Sequence, residues 1–276
     1  MGGLDLRIFV ITKRTLIIAA IIIAAVITAL IVVLSLRDVP VRAASSEMFE
    51  VEEYELTVLA GKKRELPVYS VERNDMKIAL TIDAAWEDDK TEFILDTMAK
   101  HDIKATFFLC GFWVEKYPAK VKAIHEAGHE IGNHTATHPH MNKLSAQQIE
   151  KEIEDFEAKL EKIIGSRCKN FRAPYGEYND FVITTMRSLG YEVLQWVIDT
   201  IDWREERSAQ TILDTVFTKL HPGCIILCHN NGYKIKEYLP ALIEKALADG
   251  YEFVTIQELL LEGDTMIDVN GVQKKG

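Results

Sequence analysis

Met76-Lys77-Ile78-Ala79-Leu80-Thr81-Ile82-Asp83 is a short apolar run that ends on a carboxylate. Its length and β-branched content predict a strand. Downstream the pattern alternates. Thr91–His101 reads as a helix with Phe93, Ile94, Leu95 and Met98 on one side, and Lys104–Cys110 as a strand. Pro118–Ala127 is a helix stopped by Gly128, and Glu130–Ile131 is a brief strand. Ser145–Ile164 is a long helix opened by a Ser145/Gln148 capping box and closed at Gly165. Strands at Lys169–Arg172, Glu192–Val197, Cys224–Cys228 and Phe253–Ile256 then alternate with helices at Asn179–Leu189, Ser208–Leu220 and Tyr238–Ala248. Such alternation predicts an α/β fold with a parallel sheet and outer helices over residues 76–262. The number of units suits a small or incomplete (β/α) barrel, with residues 263–276 as a loose polar tail.

The N-terminal part reads differently. Thr15 to Leu36 is 22 residues without a charge, enough to span a bilayer as a helix. Lys13 and Arg14 precede it and Arg37 follows, so the more basic flank leaves residues 1–14 in the cytoplasm and the body outside. A secreted form cut near Val41-Arg42-Ala43 is the alternative, although the apolar run is long for a signal peptide. Residues 37–75 read as a linker. Within it, Tyr54–Leu59 and Glu65–Val71 make a short β-hairpin or an extended stalk.

The net charge is −10, and residues 1–37 contribute +3, so the exported body carries −13. A body this acidic excludes non-specific nucleic-acid binding, which needs Lys and Arg. Cys110, Cys168, Cys224 and Cys228 show no disulfide or zinc-knuckle spacing and read as buried free thiols.

In α/β barrels the active site lies where strands end. The polar residues at those ends are Asp83, His134 and His138, Arg172, Asp199 and Asp202-Trp203, and His229. His134 and His138 stand four apart. On a helical turn they would share one face and could hold a divalent metal, Zn2+ or else Co2+ or Ni2+. Asp83 could be a general base, tuned by Arg172. His229 could be a general acid, tuned by Asp202.

These residues, in this order, resemble the NodB-homology polysaccharide deacetylases, carbohydrate esterase family 4. The motifs are Thr81-Ile82-Asp83, His134-Thr135-x-x-His138, Arg172-Ala173-Pro174-Tyr175-Gly176, Asp202-Trp203 and Leu227-Cys228-His229. Leu66-Pro67-Val68-Tyr69 and Asp83-Ala84-Ala85-Trp86 further resemble that family's sporulation-associated PdaB-like branch. The resemblance implies a distorted (β/α)7 barrel that removes N-acetyl groups from a cell-wall glycan, peptidoglycan or a chitin-like oligomer. It implies Asp83 as base and His229 as acid. It implies Arg172 and Asp202 as their partners and His134 and His138 as metal ligands. The backbone N–H of Tyr175 would stabilise the oxyanion, and Pro174, Trp203 and Leu227 would shape the acetyl pocket.

One position departs from the family's pattern. A second Asp, a metal ligand, usually follows the base, and here that residue is Ala84. Three outcomes follow: Asp88 or Asp89 serves as the ligand, water fills the position, or the domain binds glycan without hydrolysing it. A small non-glycan amide is a further substrate class.

Overall fold

A computed structural model describes residues 64–276. The apolar run at 15–36, the cleavage alternative and the first arm of the expected hairpin lie outside the described residues. Among the described residues no helix is long and apolar enough to cross a membrane.

The strands are β1 (Ser70–Val71), β2 (Lys77–Ala84), β3 (Thr106–Leu109), β4 (Glu130–Asn133), β5 (Asn170–Phe171), β6 (Glu192–Val193), β7 (Ile198–Asp199), β8 (Ile225–His229), β9 (Glu252–Phe253), β10 (Thr265–Ile267) and β11 (Val272–Lys275). The main sheet runs β6-β5-β4-β3-β2-β8-β7, with β9 joined to β2, and its pairings are parallel. It is a curled, incomplete barrel.

β2 shows why the chain folds this way. Ile78, Leu80 and Ile82 pack outward in one cluster with Ile94, Met98, Leu239 and Ile243 of the covering helices. Ala79, on the other face, joins a cluster with Phe108, Leu194 and Ile225. Thr81 and Asp83 follow on that second face, since side chains alternate along a strand. The helices are stopped as their sequences predict. Ser145 and Gln148 form a full capping box before Ala146–Ile164, Gly165 ends that helix with φ +73°, and Asn179 caps Asp180–Ser188. A helix at Gly111–Lys116, not expected from the sequence, follows β3 directly.

The run expected as one strand at 192–197 is kinked. Its start, β6, pairs with β5, and its continuation, β7, pairs with β8. Residues 64–71 fill the seam so left. Val68 N–H donates to Val193 O (2.8 Å), Gln195 N–H to Val68 O (2.8 Å), and Val71 N–H to Gly223 O (2.9 Å). Val68 and Val71 are fully buried there. The second arm of the expected hairpin is therefore part of the barrel, because its apolar residues close an otherwise open seam. The tail at 263–276 is likewise not loose. β10 and β11 form an antiparallel hairpin, and β11 pairs in parallel with β1. Asp268 Oδ1 accepts from the N–H groups of Asn270 and Val272 and holds the turn.

Gly223 sits at this seam with φ +80°, and an added Cβ would lie 1.7 Å from Val71 O. Gly223→Ala is expected to destabilise the fold by more than ~1 kcal/mol, since a side chain meets both a disfavoured φ and a backbone clash. A urea midpoint unchanged from the parent protein would refute the seam as a structural closure.

Candidate active site

Asp83 lies near the end of the central strand β2, in register with His229 on β8 and with Phe108 on β3. Its neighbours on both sides keep its carboxylate 7% exposed. Arg172 follows β5 and is wholly buried. Its Nη1 donates to Asp83 Oδ1 (2.7 Å) and Thr81 Oγ1 (2.9 Å), and its Nη2 to Gln195 O (3.1 Å). The guanidinium carbon lies 4.1 Å from the centre of the Phe108 ring. Burial pushes the Asp83 carboxyl up, but the charges of Arg172, His134 and His229 outweigh it and hold the group below the ordinary carboxylate range. Asp83 is thus ionised and oriented.

His134 and His138 follow β4. The stretch 134–138 is a loop and not a helical turn, and Thr135 and His138 are left-handed, with φ +69° and +59°. The reason is local hydrogen bonding. Asn133 Oδ1 accepts from Thr135 N–H (2.8 Å), and Thr135 Oγ1 accepts from His138 N–H (3.0 Å), which folds a tight loop. The two rings meet regardless, with centroids 5.0 Å apart. His134 Nδ1 contacts Arg172 O at 2.8 Å. A carbonyl can only accept, so Nδ1 carries the proton and Nε2, 3.7 Å from Asp83 Oδ2, presents a lone pair. His138 is packed by the rings of Trp86 and Tyr175, and its Nδ1 is buried without a hydrogen-bond partner. Burial and the adjacent His134 bring its pKa down to about 4, so it is neutral at neutral pH.

Asp88 does not join these imidazoles. Its loop is pinned outside, where Glu87 O accepts from Trp113 Nε1 (2.6 Å) and Asn230 Nδ2 (2.7 Å). The donor that does join them is Cys110, at the end of β3. One ligand atom each of Cys110, His134 and His138 lies within 4.8 Å of the others. In the sequence this thiol sits inside an apolar run, although it closes the run at 104–110 as Asp83 closes that at 76–83. Two imidazoles, one with an orphaned buried nitrogen, and a soft thiol sulfur fit a Zn2+-class ion.

Across the cleft, His229 Nδ1 contacts Asp202 Oδ1 at 2.7 Å, and Asp202 Oδ2 accepts from His229 N–H (3.0 Å) and Tyr238 OH (2.6 Å). Gly232 makes room for this pair, since a Cβ there would lie 2.1 Å from Asp202 Oδ2. Burial lowers the His229 pKa, but Asp202 outweighs it and leaves the imidazole raised above its usual value. Asp199, half-buried nearby, is raised by desolvation.

Asp83, His134, His138 and His229 line a cleft of about 480 Å³ with Tyr175, Trp203, Leu227, Trp86, Trp196 and Asp199. Trp86, Tyr175 and Trp203 form half-exposed walls. Tyr175 sits in a 3-10 turn, Pro174–Gly176, with φ +61°. Pro174 opens that turn and is buried rather than on the cleft wall, and Arg172 and Asp202 lie behind the residues they orient.

The chain belongs to the polysaccharide deacetylase family, whose pattern matches residues 70–194. It is 36% identical over 197 residues to the uncharacterised Bacillus subtilis protein YlxY, covering 71% of this chain and 61% of that protein. A peptidoglycan-N-acetylglucosamine deacetylase of Bacillus cereus is 35% identical over 190 residues, covering 67% of this chain and 69% of the relative. Among solved structures, a carbohydrate esterase family 4 pseudoenzyme from Bacillus anthracis superposes with a TM-score of 0.67 at 33% identity, over 72% of this chain and 70% of the other.

Proposed function

We propose that this chain hydrolyses N-acetyl groups on an amino-sugar polymer, peptidoglycan, and releases acetate. The observation that carries the proposal is the pairing of Asp83 with His229. They are register partners on adjacent strands, one held ionised by Arg172 and the other held protonated more readily by Asp202. Asp83 Oδ2 is free of Arg172 and can take a proton from water as that water attacks the amide carbon. The Tyr175 N–H would meet the developing oxyanion, the role that a donor at this place plays in acyl transfer. His229 gives a proton to the departing amine nitrogen, the carbon–nitrogen bond breaks, and acetate leaves. A divalent ion on His134 and His138 would supply a Lewis acid for the acetyl carbonyl and the attacking water. Trp86, Tyr175 and Trp203 offer flat apolar walls of the kind sugar rings pack against. The 15–36 segment would anchor this domain outside the cell membrane, next to the wall glycan. The Asp83-Ala84-Ala85-Trp86 loop supports placement in the sporulation-associated branch.

The competing reading is a silent glycan-binding module, favoured by Ala84 and by likeness to a pseudoenzyme. Acetate release from peptidoglycan by the metal-loaded full chain, followed against pH, separates the two. The rate is expected to fall in acid as Asp83 protonates, below the ordinary ~3.9 of Asp, and in alkali as His229 deprotonates, above the ordinary ~6.5 of His. Asp202→Asn removes the charge that raises His229, so the alkaline limb should move to lower pH. Bound glycan with no acetate at any pH would leave the silent module standing.

A further inference from the structure

Cys110 follows β3 directly, beside the end of β2. Its N–H donates to Ala84 O (3.0 Å), and Ala84 is the register partner of Leu109. At that point β2 offers a methyl group and no ligand, while the adjacent strand offers a thiol. The thiol is wholly buried and donates to His134 O at 3.3 Å. Among the described residues, Cys110, His134 and His138 form the group of potential ligands that converge, with their ligand atoms within 4.8 Å of one another. Around a bound tetrahedral Zn2+ such atoms are roughly 3.5 Å apart, a difference that small side-chain rotations close.

A second observation points to a ligand. His138 Nδ1 is shut away from water with no partner. A buried polar atom left this way costs about 1–3 kcal/mol, and coordination in the cluster would remove the need for it to stay so. His134 is already oriented from behind by Arg172 O, as metal-binding imidazoles commonly are.

We propose that Cys110, as a thiolate, is the third protein ligand of a Cys-His-His site for a Zn2+-class cation, an inference that rests on the metal reading above only in placing the ion on His134 and His138. On binding, the S–H bond breaks, its proton goes to solvent, and a sulfur–metal bond forms, with no change of oxidation state. The contact from the thiol to His134 O is given up in the exchange. A soft thiolate in place of a carboxylate selects Zn2+ or Co2+ against Mg2+ and Ca2+.

The test is titration of the stripped, reduced full chain with Co2+. A sulfur-to-cobalt charge-transfer band in the near ultraviolet is expected, with release of about one thiol proton per ion. Cys110→Ser should abolish the band and weaken Co2+ binding by at least the ~10-fold that loss of an outer partner brings. Cys168→Ser, outside the cluster, should leave the band intact. The wild-type band needs no variant to fold, and Cys110→Ala with a thermal melt guards against misfolding in the serine form. Absence of Co2+ binding, binding without the band, or undiminished affinity in both Cys110 variants overturns the proposal. A chain that shows the band but releases no acetate keeps Cys110 as ligand and refutes the hydrolase. Acetate release without the band does the reverse.

Discussion

Arg172→Met is expected to lower unfolding free energy at neutral pH by about 3–5 kcal/mol, because it leaves a buried carboxylate without its partner. Arg172 is the bonded cation of Asp83, and it also donates to Thr81 and Gln195. Without it, burial of Asp83 is opposed only by His134 and His229, and the carboxyl is expected to rise rather than fall. The sign of the pH dependence follows. In the parent protein the Asp83 contribution is present above the unfolded value of ~3.9 and is lost as pH falls through the lowered folded value. In the variant the folded value lies above the unfolded one, so stability is lost as pH rises. The deficit should therefore be largest near neutrality and shrink below pH ~4. Pairing the change with Asp83→Leu should recover much of the loss, since apolar residues replace a buried ion pair at little cost. Chemical denaturation at several pH values measures all three. A deficit that stays constant into acid would mean that lost packing on Phe108, not an uncompensated charge, is the cause.

The same pair shows what could be read from the sequence. Asp83 and Arg172 are 89 residues apart, yet each follows a recognisable strand, and strand ends of parallel sheets converge on one rim. Local signals were legible for the same reason: Ser145, Gln148, Asn179 and Gly165 act on backbone groups within a turn of themselves. What failed depended on distant or side-chain-specific partners. The loop at 134–138 is folded by an Asn133 amide oxygen and a Thr135 hydroxyl, which no hydrophobic period reports. Residues 265–275 look like a tail because their strand partner, β1, lies some 200 residues earlier in the chain. Glu157 lies on the long helix Ala146–Ile164. It is wholly buried, and its carboxylate accepts from Asn133 Nδ2 (3.0 Å), Tyr191 OH (2.8 Å) and Cys168 N–H (3.0 Å). Cys110 was hidden because a thiol in an apolar strand has the same hydropathy whether it packs or ligates.

Asp83→Asn carries the largest expected effect on turnover. The amide keeps the size of the carboxylate and can still accept from Arg172 Nη1, so the cleft should retain its shape. It cannot take a proton from water. Acetate release should fall by about 10²–10⁴-fold, the usual contribution of one positioned base. Glycan binding should change far less, because Trp86, Tyr175 and Trp203 are untouched. His229→Gln should produce a loss of similar size by removing the proton needed at the leaving nitrogen. The double variant is the stricter test. If Asp83 and His229 act in the same turnover, their effects will not multiply, since residues that work as a unit are strongly non-additive. Rates for the double variant near those of either single change would fit a shared base–acid cycle on adjacent strands. Fully multiplicative losses would place the two groups in separate steps. Turnover untouched by Asp83→Asn would remove the base from this site altogether and with it the hydrolytic reading of the cleft.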